Sequence, residues 1–405
     1  MKLVSLLVAV LAVQTLFANP KPDGKWVGIW VSSQQQVEPS NLPPAPGLQG
    51  NTLRQIIQPS LGGKQIRLTF SNAYGDGPLT LDAVTVARSK GGSTIAADGV
   101  YALTFNGQPS VSIKPGASVT SDVAQIEVQA FENLAISTYS TSVPPVLTGH
   151  PGSRTTSFIQ TGNCVSAAEF KTATSTDHWY FLAAIDVIAD ETASAILVLG
   201  DSITDGRGST TNENNRWPDN LARRLRANPA TANIAVLNQG IGGNRVLRNG
   251  LGPAALQRFD RDVLIPPGVR WVIIFEGIND VGTAVSARAK GEPAATAQDI
   301  IAGYAQMIAK ARARGLKVYG ATLMPFQGFD MYYNAQSDAD RIAVNQWIRT
   351  PGNFDGVIDF DEIARDPKNP ARLSARIDGG DHLHPSANGY KVMADAIDLS
   401  LFTEK

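Results

Sequence analysis

The sequence predicts an α/β fold, with a doubly wound parallel sheet in the second half of the chain and an all-β sandwich or jelly roll before it. Up to about residue 189, short apolar or alternating runs are separated by turn residues about every 8–12 positions, a pattern typical of antiparallel sheets. From residue 193 onward, apolar runs alternate with amphipathic helical patterns, which favours βαβ units and a parallel sheet.

The length of 405 residues and these two textures predict three parts. We expect a signal peptide at residues 1–18, a β-sandwich domain at 19–190 and an α/β domain at 191–405. Residues 1–18 combine a charged start, an apolar run at 3–13 and a small residue at Ala18, which is typical of a secretory signal. The sequence therefore predicts a secreted, extracellular protein. The single cysteine, Cys164, allows no internal disulfide.

The charge of the chain excludes some classes of partner. Its formal net charge is −1, which provides no overall attraction for nucleic acid or for an anionic membrane. No stretch reaches the roughly 20 apolar residues that a membrane-spanning helix needs. We expect neither a nucleic-acid partner nor membrane insertion.

Individual elements follow from periodicity and from breaker residues. The first half has predicted strands at 65–70, 79–87, 101–105, 110–113, 125–128, 134–139 and 179–187. The second half has predicted strands at 195–199, 234–237, 271–275, 317–323 and 357–360, with helices at 217–227, 297–314, 337–349 and 386–401. Pro218 suits a first helical turn, Ser337 with Asp340 resembles a capping arrangement, and Gly315 suits a helix stop.

A serine follows the first predicted strand of the second half. The turn Gly200-Asp201-Ser202-Ile203 comes directly after the apolar run at 195–199. In open α/β sheets, ligands bind beyond the carboxyl ends of the strands, so Ser202 lies where a substrate would bind. A serine in a turn is ordinary by itself, and the loops that follow decide its interpretation.

The later strand ends offer the other groups that acyl transfer needs, namely a base, a carboxylate that orients it and donors for the oxyanion. The loop at 238–244 is rich in glycine, which lets a backbone N–H approach a ligand closely. Asn279 follows the third strand with a carboxamide donor. Near the C-terminus, Asp381 precedes His384 by three residues, so that one turn could carry both.

Each of these motifs has a plainer interpretation. Gly242-Gly243 could be only a tight turn, and Asp381 with His384 could be polar residues before a helix. Asp381, His382 and His384 could also bind a metal, although a tetrahedral site needs more His or Cys ligands than this half contains. His382 is a rival to His384 as the base. The remaining candidates, which we interpret as satisfied polar or surface residues, are His150, His178 and Cys164.

Taken in chain order, the motifs resemble the four sequence blocks of the SGNH, or GDSL-type, serine hydrolases. Ile203 stands where the family motif has leucine, which conserves volume. The resemblance covers residues from about 193 to 405, and the β-rich first half looks like the extension of some secreted members. The matching residues are 200–203 in the first block, Gly243 in the second, Asn279 in the third, and Asp381 with His384 in the last.

The resemblance implies a flavodoxin-like sheet, a triad of Ser202, His384 and Asp381, and an oxyanion hole formed by Ser202, Gly243 and Asn279. It implies a secreted esterase or acylhydrolase that needs no cofactor or metal. As the ester substrate we expect short acyl groups, above all acetyl, on a polysaccharide. The alternatives are short-chain lipid or aryl esters, acyl transfer to a sugar hydroxyl, and a carbohydrate-binding protein without catalysis.

Other residues near these motifs have open roles. Asp205 and Arg207 could form the rim of a pocket or an internal ion pair. Some loop aromatics could line an acyl or sugar site, although packing is the plainer interpretation for most of them: Trp217, Phe326, Phe329, Tyr332 and Tyr333.

Overall fold

The computed structural model describes residues 24–403. The predicted signal peptide at residues 1–18 lies outside this range. Among the residues described, no helix is both long and apolar enough to cross a membrane.

The N-terminal part, residues 24–190, is β-rich and is called the β-domain below. Apolar side chains from both of its main antiparallel sheets, such as Leu68 and Ile136, belong to the same buried core. The first sheet contains Lys25–Val31, Ile66–Ser71, Ser118–Thr120 and Leu182–Ala189. The second contains Asn51–Ile57, Ala83–Gly91, Thr94–Ile95, Tyr101–Ala102, Leu134–Ser140, Ser157–Thr161 and Thr174–Thr176. Smaller sheets pair Gln35–Gln36, Thr148–His150 and Trp179–Tyr180, and Leu79–Leu81 with Val111–Ile113.

A five-stranded parallel sheet forms the second half. Its strands are Ser194–Gly200, Ile234–Gly240, Val269–Phe275, Lys317–Ala321 and Gly356–Ile358. The spatial order is second, first, third, fourth, fifth, which is the flavodoxin-like order. The predicted fold class, a doubly wound sheet behind a β-rich N-terminal part, is therefore confirmed.

Helices connect these strands and pack in two groups, one around Trp217–Ala227 and Ala387–Asp395, the other around Ala297–Arg312. The α-helices are Ser202–Asp205, Trp217–Ala227, Ala255–Val263, Ile278–Ala289, Ala297–Arg312, Ala335–Arg349, Phe360–Ala364 and Ala387–Asp395. Short 3₁₀ turns lie at Pro39–Asn41 and Leu399–Phe402, and a small hairpin pairs Arg365–Asp366 with Asn369–Leu373.

Several predicted boundaries were wrong for local reasons. The helix predicted from Ser337 begins at Ala335, because Asn334 is its cap and Ser337 is the third residue of the helix, where it completes the capping box. The predicted strand at 125–128 forms only isolated bridges, and the last predicted helix is interrupted before its final 3₁₀ turn. The fifth strand ends at Ile358, since Asp359 caps a new helix.

The β-domain covers the open edge of the parallel sheet. The Ser60 hydroxyl accepts a hydrogen bond from the Val236 amide at 2.9 Å and donates to the Val236 carbonyl at 3.0 Å. Gly28 is close to the Leu237 side chain, since an added Cβ would lie 3.1 Å from its Cδ1. The buried apolar side chains of both parts form one continuous cluster.

Candidate active site

Parallel register brings three loops to one edge of the sheet. Gly200 pairs with Gly240 on one side and with Phe275 on the other, so the three strands end at the same level. The Ile241 amide donates to the Gly200 carbonyl at 3.0 Å and ties the second loop to the first. Ser202, Gly243 and Asn279 follow these strand ends within a few residues.

Ser202 begins a one-turn helix, Ser202–Asp205, directly after the central strand. Asp201 caps this helix by accepting a hydrogen bond from the Ile203 amide at 2.9 Å. Gly200 must be a glycine, because a Cβ there would lie 2.2 Å from Oγ1 of Thr204. Ser202 is therefore held in a short, capped turn with 7% of its surface exposed.

A hydrogen-bond chain joins Ser202 to His384 and Asp381. The Ser202 Oγ lies 2.9 Å from Nε2 of His384, and Nδ1 of His384 lies 2.6 Å from Oδ2 of Asp381. Because a carboxylate only accepts, Nδ1 carries a proton, and a neutral ring leaves Nε2 free to accept from the serine hydroxyl. This is the arrangement of a nucleophile, a base and a carboxylate that orients the base.

The pKa values of His384 and Asp381 are shifted by their surroundings. Burial lowers the pKa of His384 below 6.5, Asp381 opposes this, and the charges of Arg207 and Arg154 lower it further. Burial would raise the pKa of Asp381, but hydrogen bonds from the amide and the ring of His384 and from the Leu383 amide hold it below its usual value. The carboxylate is thus charged and the imidazole neutral near pH 7.

His382 is directed elsewhere. Its Nδ1 lies 2.6 Å from Oδ2 of Asp378, and its backbone has a positive φ of 65°. Its ring packs over Gly328, where a Cβ would lie 2.7 Å from its Cδ2. Within residues 24–403, no group of three or more His, Cys, Asp or Glu side chains is arranged to hold a metal ion.

Asn279 lies in the first turn of the helix Ile278–Ala289, a helix that was not among the predicted elements. One N–H of its carboxamide donates to the Asn244 carbonyl at 2.9 Å, and the Tyr332 hydroxyl donates to its Oδ1 at 2.9 Å. Tyr332 can approach because Gly282 has no side chain, and a Cβ there would lie 2.0 Å from the tyrosine ring. The orientation of the amide is fixed, and its second N–H remains to serve a ligand.

Two backbone amides are also available at this edge. Gly243 has φ +67°, a left-handed conformation that favours glycine. In the part of the chain that the structure describes, the Ser202 and Gly243 amides donate to no protein acceptor. The structure thus brings Ser202, His384 and Asp381 into one hydrogen-bonded chain, and connects Asn279 to the loop that carries Gly243.

Arg258, which the sequence analysis missed, lies beneath this site. It is fully buried and donates to the carbonyls of Gly200 and Gln239 at 3.0 and 2.7 Å. It also donates twice to Oδ1 of Asn244, at 3.0 and 2.8 Å. One guanidinium therefore connects the ends of two strands with the loop after Gly243. The available signal was an arginine four residues before Asp262, an oppositely charged pair at helical spacing.

A buried acidic cluster surrounds this guanidinium. Burial raises the pKa of Asp201 to about 7, and the neighbouring Asp280 adds to this while Arg258 opposes it. Burial also raises the pKa of Glu276 well above its ordinary value, although Glu276 pairs with Arg258 at 3.2 Å. Burial raises the pKa of Asp280 to about 6, and its carboxylate accepts the amides of Val246 and Leu247.

The other residues whose roles the sequence left open lie in the core, at the surface or in contact with the β-domain. Trp217 and Phe326 are buried in the core, whereas Phe329, Tyr332 and Tyr333 are half-buried against it. Asp205 pairs with His150 of the β-domain at 2.9 Å, and Arg207 is exposed. His178 bonds the Pro151 carbonyl at 2.6 Å, and Cys164 is a half-buried free thiol.

Solved structures to which about half of this chain is similar include three esterases or lipases. A GDSL-like lipase from Bacteroides thetaiotaomicron is 20% identical, with 52% of this chain and 88% of that chain covered and a TM-score of 0.38. An acetyl xylan esterase is 24% identical over 50% of this chain and 96% of that chain, with a TM-score of 0.38. A catalytic mutant of an acetylxylan esterase from Geobacillus stearothermophilus is 22% identical over 53% and 96%, with a TM-score of 0.39.

No curated protein sequence matches the chain. The family model of the GDSL-like lipase/acylhydrolase family matches residues 198–392, a range that contains all five predicted site residues. Residues 198–392 of this chain therefore belong to the GDSL-like lipase/acylhydrolase family, and the protein is a carboxylic ester hydrolase.

Proposed function

We propose that the protein is a secreted serine esterase that hydrolyses carboxylic esters through an acyl-enzyme on Ser202. The observation that carries this proposal is the continuous hydrogen-bond chain from Ser202 Oγ through His384 to Asp381. A serine hydroxyl becomes an effective nucleophile only when a base is in reach and is itself oriented. Support for secretion comes from the sequence of residues 1–18 alone.

The reaction proceeds in two half-reactions. His384 removes the proton of Ser202 as its oxygen attacks the ester carbonyl, and the imidazolium then gives that proton to the departing alcohol. Water, deprotonated by the same ring, attacks the acyl-enzyme, and the acid is released as Ser202 recovers its proton. Asp381 stabilises the charged imidazolium in both halves.

The oxyanion of each tetrahedral intermediate is stabilised by three donors. They are the amides of Ser202 and Gly243 and the second N–H of the Asn279 side chain. Hydrogen bonds that strengthen as charge develops lower the barrier, and removing one such donor typically costs about 100- to 1000-fold in rate. Asn279 is held in place before the substrate arrives, since its other two polar positions are already occupied.

As the substrate we propose short acyl groups, chiefly acetyl, on a polysaccharide. The predicted secretion and the large β-domain beside the site support this class. A second candidate is a short-chain lipid or aryl ester, which is favoured by Leu251. This side chain is 59% exposed and lies beside Gly243, where an added Cβ would be 3.2 Å from it. An exposed apolar side chain at the oxyanion loop suits an apolar acyl or aryl group.

A single set of assays tests the proposal. Release of free acid is measured for aryl esters of increasing chain length and for acetylated polysaccharides, with the wild type, Ser202→Ala and Ser286→Ala. Ser286 is an exposed serine further along the helix Ile278–Ala289, which also carries Asn279, and it serves as the matched control. We expect turnover by the wild type and the control, none above background by Ser202→Ala, and a faster reaction with acetyl groups.

A phosphonate that reacts with activated serines provides a second readout. We expect mass spectrometry to locate the adduct on Ser202 alone. If Ser202 is not labelled and the wild type cleaves no ester, the esterase proposal is wrong, and a carbohydrate-binding protein without catalysis becomes the better interpretation. Acyl transfer is separated from hydrolysis by adding a sugar acceptor and identifying the product.

A further inference from the structure

Arg207 is fixed between the nucleophile and the segment that carries the base. Its amide donates to the Ser202 carbonyl at 2.9 Å, and its own carbonyl accepts the Tyr390 hydroxyl at 2.6 Å. The next residue, Gly208, lies against Pro385, since a Cβ there would be 2.5 Å from the Pro385 carbonyl oxygen. The side chain of Arg207 is exposed, and its guanidinium makes no hydrogen bond or ion pair to any residue from 24 to 403.

A second arginine, Arg154 of the β-domain, faces Asp205, which lies two residues before Arg207. Arg154 has φ +52°, which is uncommon for a residue with a large side chain. Its Nη2 lies 4.0 Å from Oδ2 of Asp205, beyond hydrogen-bond distance, and its side chain is 31% exposed. Its Nε is buried and has no partner among the described residues. A buried donor without an acceptor is costly, so it indicates a missing partner.

The nearby carboxylates are engaged only in part with other donors, because Oδ2 of Asp205, the oxygen 4.0 Å from Arg154 Nη2, is buried without a hydrogen-bond partner in the described part of the chain. Oδ1 of Asp205 bonds His150, and Asp381 accepts three N–H groups, two of them from His384. Both guanidinium groups are close enough to His384 to add to the lowering of its pKa, of which burial is the main cause. Two positive charges with unused donors therefore lie beside the nucleophile and the base.

We propose that Arg154 and Arg207 form an anion subsite that binds a carboxylate carried by the ester substrate. A guanidinium presents a planar fork of donors that fits a carboxylate with two parallel hydrogen bonds. The chemical class is an acyl ester of an acidic polysaccharide, in which a uronate lies next to the acylated sugar. This inference rests on the proposed esterase function and specifies its substrate.

The test compares two substrates that differ only in one carboxylate. These are the acetyl esters of a methyl glucuronoside and of the matching methyl glucoside, assayed with the wild type, Arg154→Gln, Arg207→Gln and the double variant. Arg270→Gln is the control, because Arg270 is exposed at the amino end of the third parallel strand, the edge of the sheet away from Ser202.

We expect the wild type to prefer the acidic ester by about 10-fold or more in kcat/KM, and the preference to fall as salt is raised. At a pH well above the acidic limb of the rate profile, the double variant should lose this preference and keep its rate with the neutral ester within about 2-fold, which also shows that it is folded. Arg270→Gln should retain the preference.

Two results separate the failure of this inference from the failure of the esterase proposal. If the wild type cleaves both esters equally, or if the variants lose both activities in parallel, the anion subsite is wrong while the esterase stands. If the wild type cleaves neither these esters nor any aryl ester, the esterase proposal fails, and the subsite fails with it.

Discussion

His150 of the β-domain is hydrogen-bonded through Nε2 to Oδ1 of Asp205, the last residue of the helix that begins at Ser202, at 2.9 Å. Its other nitrogen, Nδ1, lies 2.9 Å from the Ser33 carbonyl. Both nitrogens of the ring therefore face oxygen atoms at hydrogen-bond distance. The β-domain thus holds the far end of the nucleophile helix through a buried pair.

We expect His150→Ala to lower both stability and kcat. Removing one partner leaves the buried Asp205 with only the more distant charge of Arg154 beside it, which costs about 3 kcal/mol in the free energy of unfolding. A helix that is held less firmly also positions Ser202 less well, so kcat should fall while KM changes little. Urea unfolding and steady-state kinetics measure the two effects. His178→Ala is the control, since His178 bonds only a carbonyl of its own β-domain. Unchanged unfolding of His150→Ala would contradict the role of the pair.

Asn279→Ala should reduce kcat by about 100- to 1000-fold with little change in KM, because the lost hydrogen bond strengthens only as the oxyanion forms. Tyr332→Phe is the informative companion variant. It keeps the amide but removes the hydroxyl that fixes its orientation, so its loss should be smaller, about 10-fold. Wild-type kcat in Asn279→Ala would exclude this residue from the oxyanion hole.

The acidic limb of the pH profile should report His384. The base must be neutral to act, and its pKa is lowered from 6.5, so kcat/KM should fall only below that pH. Arg207 and Arg154 contribute to the lowering, so changing either to Gln should move the limb to higher pH. A rate profile measured at constant ionic strength checks this. If the acidic limb stays at the same pH in both variants, the charges of Arg207 and Arg154 are too far from His384 to change its pKa.

His384→Ala should abolish turnover, whereas His382→Ala should retain most of it. Only His384 reaches the serine hydroxyl, and the ring of His382 is bonded to Asp378 instead. The comparison needs only kcat on one aryl ester, with thermal unfolding to show that both variants are folded. Equal losses in the two variants would leave the base unidentified.

Asp201→Asn should stabilise the protein more at pH 8 than at pH 5. The pKa of this buried carboxyl is raised from 3.8 to about 7, so in the folded state it is neutral at pH 5 and charged at pH 8. The neutral Asp201 carboxyl contributes its full stability below pH 3.8, where it is protonated in both the folded and the unfolded state. This contribution is lost as the pH rises through 7, because the folded state must then bury a charge. Asn remains neutral and still caps Ile203. The difference in melting temperature between variant and wild type should therefore increase with pH.

The polar site residues were predictable because each lies within a few positions of a strand end. The first three parallel strands end at the same level of the sheet, at Gly200, Gly240 and Phe275. A prediction that locates these strands therefore also places Ser202, Gly243 and Asn279 at one edge. The turn at 381–384 was predictable from its spacing, because one carboxylate three residues away can accept both the amide and the ring of His384.

The supporting residues could not be predicted because their partners are distant in the sequence. Arg258 contacts Ser33, 225 positions away, and Tyr332 contacts Asn279 through a space that only the absence of a side chain at Gly282 provides. The helices Ala255–Val263 and Ile278–Ala289 were missed, since each carries polar residues such as Asp262 and Asp280 on its buried side.

The contact of Ser60 with Val236 limits how the molecule can be divided. The serine pairs with the amide and the carbonyl of Val236 on the outermost strand of the parallel sheet, so a fragment that starts at residue 191 would expose these groups to solvent and to other copies of itself. We expect such a fragment to aggregate more readily than the whole chain. Transfer of this hydrolase to another carrier therefore calls for the whole chain.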